Sequence, residues 1–227
     1  MGRRGKPASP PHSEKSVTSR AVVVGDYAGL LTVRELPQAE VETAAMVAGG
    51  AHKLAAEYSV VRAAVHGTPP VDVLHFATHG RFVEGLRDEG VVLVDRSGAQ
   101  PREVYFTPMD VEAGNLPTEP FVFLNACQVG AGETILGDYA GMAAAFLRIG
   151  ATAVVAPLWE VDDSLAATAA TDFYRATDSG VTVGAAVGAL RAKCTPRAAA
   201  DPTTAKYGSF LAYQYFGHPN LTLRNGP

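Results

Sequence analysis

Two phrases of the chain end in residues able to transfer protons and attack carbonyl carbon. One is Val71-Asp72-Val73-Leu74-His75-Phe76-Ala77-Thr78-His79-Gly80, the other Phe121-Val122-Phe123-Leu124-Asn125-Ala126-Cys127-Gln128. Each is a short apolar run of the kind that forms a buried parallel strand. In open α/β sheets, reactive groups gather beyond the carboxyl ends of the strands. Neighbouring strands lie about 4.8 Å apart, so His79 at one tip and Cys127 at the next can cooperate as a dyad. A free thiol has a pKa of about 8.5 and is scarcely ionised at neutral pH. A nearby imidazole takes its proton as sulfur attacks, then returns that proton to the leaving amine. Taken singly, each residue also has a structural reading. His79 then closes an ordinary strand turn, and Cys127 is a small buried hydrophobe. His75 lies a full pleat repeat deeper than His79 and reads as a hydrogen-bonded core histidine.

The elements that must carry these residues alternate between strand and helix. Ala21-Val22-Val23-Val24 is a β-branched strand closed by Gly25-Asp26. Gln38 to Ala48 is helical in pattern and stops at Gly49-Gly50. Lys53-Leu54-Ala55 reads as a very short strand, and Glu57 to His66 as a helix ended by Gly67 and Pro69-Pro70. Gly90 to Asp95 is a further strand, and Thr107 to Ala113 a brief helical turn. A Gly-rich loop, Gly130 to Glu133, follows the Cys127 strand, and Asp138 is expected to open a helix capped by Gly150. Ala153 to Ala156 is another buried strand. It leads through Trp159, Asp162 and Asp163 into a helix reaching about Asp178, with one more helix from Thr182 to Lys193. Phe210 to Phe216 and Leu221 to Leu223 are the last strand signals. This alternation predicts an α/β fold, a mostly parallel central sheet between two layers of helices.

Composition narrows the functional classes. With 227 residues, 47% hydrophobic and 19% charged, the chain fits one soluble domain with a full core. Residues 1–20 hold scattered Arg and Lys among Pro, Ser and Gly, and read as a disordered arm or linker ahead of a domain over 21–225. A net charge of −4 and no basic face beyond that arm argue against nucleic acid as a partner. No apolar stretch approaches the length of about 18 residues that spans a bilayer. The N-terminus lacks the apolar core of a secretory signal, so the expected location is the cytoplasm. The two cysteines, Cys127 and Cys194, make no CxxC pair, so neither metal nor cofactor is expected.

Four phrases in order give the chain its resemblance. They are Leu74 to Gly80, Leu124-Asn125-Ala126-Cys127-Gln128, Gly150 to Asp163, and Gly217-His218-Pro219. Together they resemble the CHAT domain, a caspase-like cysteine peptidase module grouped with caspases, separases and gingipains. The resemblance covers roughly residues 22–223 and implies a three-layer α/β/α caspase-like fold. It implies that His79 is the general base and Cys127 the nucleophile of a dyad. The caspase form, with Gln before Ala-Cys, is replaced here by Asn125, while His79 lies 48 positions before Cys127. Backbone N–H groups of Gly80 and Cys127 are expected to form an oxyanion hole.

In separase-like relatives an acidic residue near the third phrase receives a basic side chain, so Asp162 is expected to bind an Arg or Lys before the cleaved bond. Asp163, beside that pocket, is then expected as the better helix cap, and Trp159 as a pocket wall or a packing residue. The implied partners are a protein or peptide substrate and a regulatory protein. Two other readings stay open: a catalytically silent module that binds peptides as a scaffold, and a thiol hydrolase acting on a non-peptide acyl group.

Overall fold

The computed structural model describes residues 13–81, 90–127, 135–194 and 205–226. The β-branched and aromatic runs form the strands of one twisted sheet. These are β2 (Arg20–Val24), β3 (His52–Ala55), β4 (Val73–Arg81), β5 (Gly90–Asp95), β6 (Arg102–Phe106), β7 (Phe121–Cys127), β8 (Ala153–Pro157) and β9 (Tyr213–Phe216). The main path runs β3-β2-β4-β7-β8-β9, parallel except for the last pair. Strands β5 and β6 extend antiparallel from the tip of β4, where Gly80 pairs with Val91 and Arg81 with Gly90. Gly90 has φ of 154°, and a Cβ there would meet the Phe106 carbonyl oxygen at 2.0 Å, so only glycine fits this junction.

Helices cover both faces. On one lie α1 (Pro37–Ala48), α5 (Asp163–Asp178) and α6 (Val183–Ala192), packed on Val22, Ala77, Phe121, Phe123 and Val155. On the other lie α2 (Tyr58–Val65), α3 (Pro108–Glu112) and α4 (Ile135–Arg148), packed on Val23, Phe76, Val122 and Leu124. Strand alternation explains this division, because successive side chains of β4 and β7 serve opposite layers. Phe76 and Phe123 are fully buried, each stabilising the fold by about 1.5–3 kcal/mol. The expected three-layer architecture is therefore observed.

Several boundaries differ from expectation. Residues 14–17, read as part of a disordered arm, form strand β1 (Glu14–Val17), which pairs in parallel with β10 (Thr222–Asn225). The cause is Asp72, whose carboxylate collects Thr18 N and Oγ1 (both 2.9 Å), Ser19 N (3.2 Å) and Lys15 Nζ (3.1 Å). Burial pulls the Asp72 carboxyl upward, but these donors outweigh it and hold it down at about 2. A local composition reading has no access to that distant partner. Asp138 lies inside α4, which begins at Ile135. Part of the expected last strands is a 3₁₀ helix, Ala205–Ala212, and β6 carries no clear alternation to announce it. Residues 1–12 and the loop at 130–133 lie outside the described residues. No helix among the described residues is long and apolar enough to cross a membrane.

Candidate active site

Strands β4 and β7 are paired in register over seven positions, from Val73↔Phe121 to His79↔Cys127. Direct pairing at the last position puts the histidine and cysteine backbones side by side, at the spacing of adjacent strands. The residues between are chosen for burial: everything in β4 from Val73 to Gly80 is buried, and Arg81 is the first to emerge. Both strands therefore end together at one rim of the sheet.

The imidazole of His79 is 8% exposed and is held from three directions. Its backbone N–H donates to the Tyr27 hydroxyl at 2.8 Å, and that hydroxyl donates to the Val92 carbonyl at 3.0 Å. The Tyr27 ring lies against the imidazole with centroids 5.0 Å apart. Burial raises the Tyr27 pKa far above its ordinary value, so the hydroxyl keeps its proton. Finally, His79 Nε2 lies 2.8 Å from the Arg34 carbonyl oxygen. A carbonyl can only accept, so Nε2 carries the hydrogen and Nδ1 keeps the basic lone pair. Nδ1 is buried and has no hydrogen-bond partner among the described residues. This is the form a general base requires.

Beneath the rim a buried polar cluster joins both strands to their covering helices. Glu42 of α1 accepts from His75 Nε2 and from Asn125 Nδ2, both at 2.6 Å. Asn125 also donates to the Ala166 carbonyl of α5 at 3.0 Å and accepts from Tyr213 at 2.6 Å. His75 Nδ1 meets the Tyr174 hydroxyl at 3.1 Å. Burial pushes the Tyr174 pKa up, keeping that hydroxyl protonated. His75 is thus the satisfied core histidine expected from its depth. Asn125, two positions before Cys127, has its whole amide committed, which fixes the strand just below the cysteine.

The cap of α5 falls on the other aspartate from the one expected. Asp162 is the cap of α5: its Oδ1 accepts from Ser164 N at 3.1 Å and Leu165 N at 3.3 Å. Asp163 is already the first helical residue, so its carboxylate cannot reach over those N–H groups. It instead accepts from the Gln38 backbone N–H and lies within electrostatic reach of His79 and Glu42. Burial raises the Asp163 pKa; the Gln38 bond opposes the shift, while the Glu42 charge adds to it. The expectation that Asp163 caps the helix is corrected, because helix geometry assigns the cap to the residue before the first turn. Trp159 is 37% exposed between β8 and α5, and Cys194 is a half-buried thiol beyond α6.

Sequence reasoning missed Tyr27, the Arg34 carbonyl and Glu42. A backbone carbonyl has no residue type to betray it. Tyr27 offered only its place just past a strand end, and Glu42 only a charge inside a helix whose other face is polar.

A family model described as the CHAT domain matches residues 3–215. The chain belongs to the CHAT domain family. None of the curated proteins matches it. Among solved structures it is similar to a complex of the pro- and mature domains of RgpB from Porphyromonas gingivalis. That match has a TM-score of 0.58 at 13% identity and covers 92% of this chain and 49% of the other. A second is the Arg-specific cysteine proteinase gingipain R (RgpB), with a TM-score of 0.55 and 14% identity, covering 94% of this chain and 48% of the other. The CHAT chain spans about half the length of these structures, and at such identity the likeness establishes the fold: a caspase-like cysteine peptidase architecture.

Proposed function

We propose that this CHAT domain is a cysteine endopeptidase that cleaves after Arg or Lys. The observation that carries the reading is His79, held by the Arg34 carbonyl in the tautomer whose Nδ1 has no partner among the described residues, and paired in register with Cys127. In the reaction, Nδ1 takes the thiol proton as sulfur bonds to the substrate carbonyl carbon. The oxygen, now negative, is received by the backbone N–H groups of Gly80 and Cys127, one such donor lowering the barrier by about 3 kcal/mol. The imidazolium gives its proton to the departing amine, and water then releases the acyl group from sulfur with His79 again as base.

For the basic side chain before the cleaved bond, Asp162 was the sequence expectation. Its carboxylate is engaged by the start of α5, so we assign the role to Asp163, which faces the dyad side. We assign Trp159 the role of a pocket wall. The RgpB match is a complex with a pro-domain. By analogy, a separate polypeptide acting on this rim is the regulator we propose for the CHAT domain.

Incubation with a mixed peptide library tests the reading. Cuts after Arg and Lys that disappear in Cys127→Ala support it. An intact library with the wild-type protein, even with added candidate regulators, would instead leave a peptide-binding module.

A further inference from the structure

A cup of about 510 Å³ opens beside His79, lined by Thr32, Val33, Arg34, Arg81, Val92 and Glu103. Its charge is opposite to that around Asp163. Two arginines line it against one glutamate, and that carboxylate is already spent. Glu103 accepts from Arg81 Nη1 at 2.8 Å, from Thr32 Oγ1 at 2.6 Å and from the Tyr105 hydroxyl. Arg81 Nη1 also donates to the Tyr105 oxygen at 2.5 Å, and the guanidinium lies over the Tyr105 ring, 5.6 Å from its centroid. These contacts fix Arg81 in place while leaving Nε and Nη2 without a partner among the described residues. Its side chain is 47% exposed, so those donors reach solvent. The exposed Arg34 side chain likewise forms no ion pair among the described residues. A fixed guanidinium with spare donors, in a cup that a second arginine also lines, is suited to a carboxylate.

Position decides which part of a substrate arrives there. The dyad sits on the β4–β7 pair, with β2 on one flank and β8 on the other. Thr32, Val33 and Arg34 follow β2, and Arg81, Val92 and Glu103 belong to the extension of β4 through β5 and β6. Asp163 follows β8, but its carboxylate accepts from the Gln38 N–H, so the segment after β2 runs from the cup, where Thr32 bonds Glu103, past the Arg34 carbonyl on His79, to Asp163. With His79 between the cup and Asp163 along that segment, an extended peptide crossing the dyad would send its side chains on the two sides of the scissile bond toward opposite charges. We propose that this cup is a second specificity subsite, taking an acidic side chain on the leaving-group side of the cleaved bond. The proposal rests on the peptidase reading for its orientation, but the charge preference of the cup can be read without turnover.

Three peptides identical except for Glu, Gln or Lys after a fixed Arg provide the probe. The wild-type protein should cut the Glu peptide with a kcat/KM about fivefold above the Gln peptide, and the Lys peptide more slowly still; half-exposed ion pairs support no larger factor. Arg81→Gln should bring Glu and Gln within about twofold, and Arg34→Gln, which keeps the backbone carbonyl holding His79, should narrow the gap in the same direction. The second arm measures binding of the same labelled peptides to the Cys127→Ala protein by fluorescence anisotropy. Tighter binding of the Glu peptide, lost on adding Arg81→Gln, with no cleavage by the wild type, would sink the peptidase reading and keep the subsite. Cleavage after Arg with equal rates and equal binding for all three peptides would keep the reading and overturn the subsite.

Discussion

His75 and His79 stand four residues apart on one strand and one face, yet their surroundings differ in the feature that matters for chemistry. At His75 both ring nitrogens are engaged, by Glu42 and Tyr174, with no exposed surface. At His79 one nitrogen is tied to a carbonyl and the other has no partner among the described residues. Both are buried, so burial alone does not separate a structural histidine from a base. The unspent lone pair does. The lower level commits the His75 and Asn125 side chains to a platform joining the strands to α1 and α5, and among the described residues the upper level leaves the His79 Nδ1 and Thr78 Oγ1 atoms without a partner.

The comparison can be broken most decisively at the upper level. His79→Ala and Cys127→Ala should each lower peptide cleavage by about 10³-fold or more, with His79→Ala costing only about 1–2 kcal/mol of stability through the lost Arg34 bond. Loss of stability equal to that at His75 would erase the distinction. At the lower level, His75→Ala should destabilise by about 3–5 kcal/mol, because the Glu42 carboxylate loses a buried partner. Urea titration followed by circular dichroism measures this. A well-folded His75→Ala protein would show that the platform is dispensable.

Tyr27→Phe tests the join between the two levels. It leaves the His79 N–H without its acceptor and should cost about 1–3 kcal/mol, with cleavage falling through misplacement of the ring. Retained stability alongside unchanged kcat would argue against Tyr27 as a positioning residue. The smallest effect is expected at Asp163. Its pKa is raised above the ordinary carboxylate value, so it gains its proton at a higher pH than a free Asp as pH falls. Preference for Arg over a neutral residue should therefore weaken on acidification earlier than an ordinary carboxylate allows, and Asp163→Asn should flatten that pH profile. The sign for stability is the reverse: a raised carboxyl pKa means that the folded state gains stability as pH falls through it. A pH-independent preference in the wild type would remove Asp163 from the pocket.

The layered fold was legible because long apolar runs such as Val73–Phe76 and Phe121–Leu124 can only be satisfied between two layers of helices. The pairing of His79 with Cys127 followed from two strand ends of matching character. The aspartate roles were not legible, since a cap and a first-turn acid differ by one position and both residues are Asp. The ordered segment at residues 14–17 was hidden for another reason: its support comes from Asp72 and from β10, far away along the chain.

By itself, the sequence determined which residue types stand at the ends of which buried strands, because hydrophobic periodicity is a local property. The tertiary structure alone decided the tautomer of His79, the anchoring of Asn125 by Glu42, and the approach of the Asp163 carboxylate to the Gln38 N–H. Each of these depends on a partner brought close by folding, and a carbonyl such as that of Arg34 acts through its position in space rather than through its side chain.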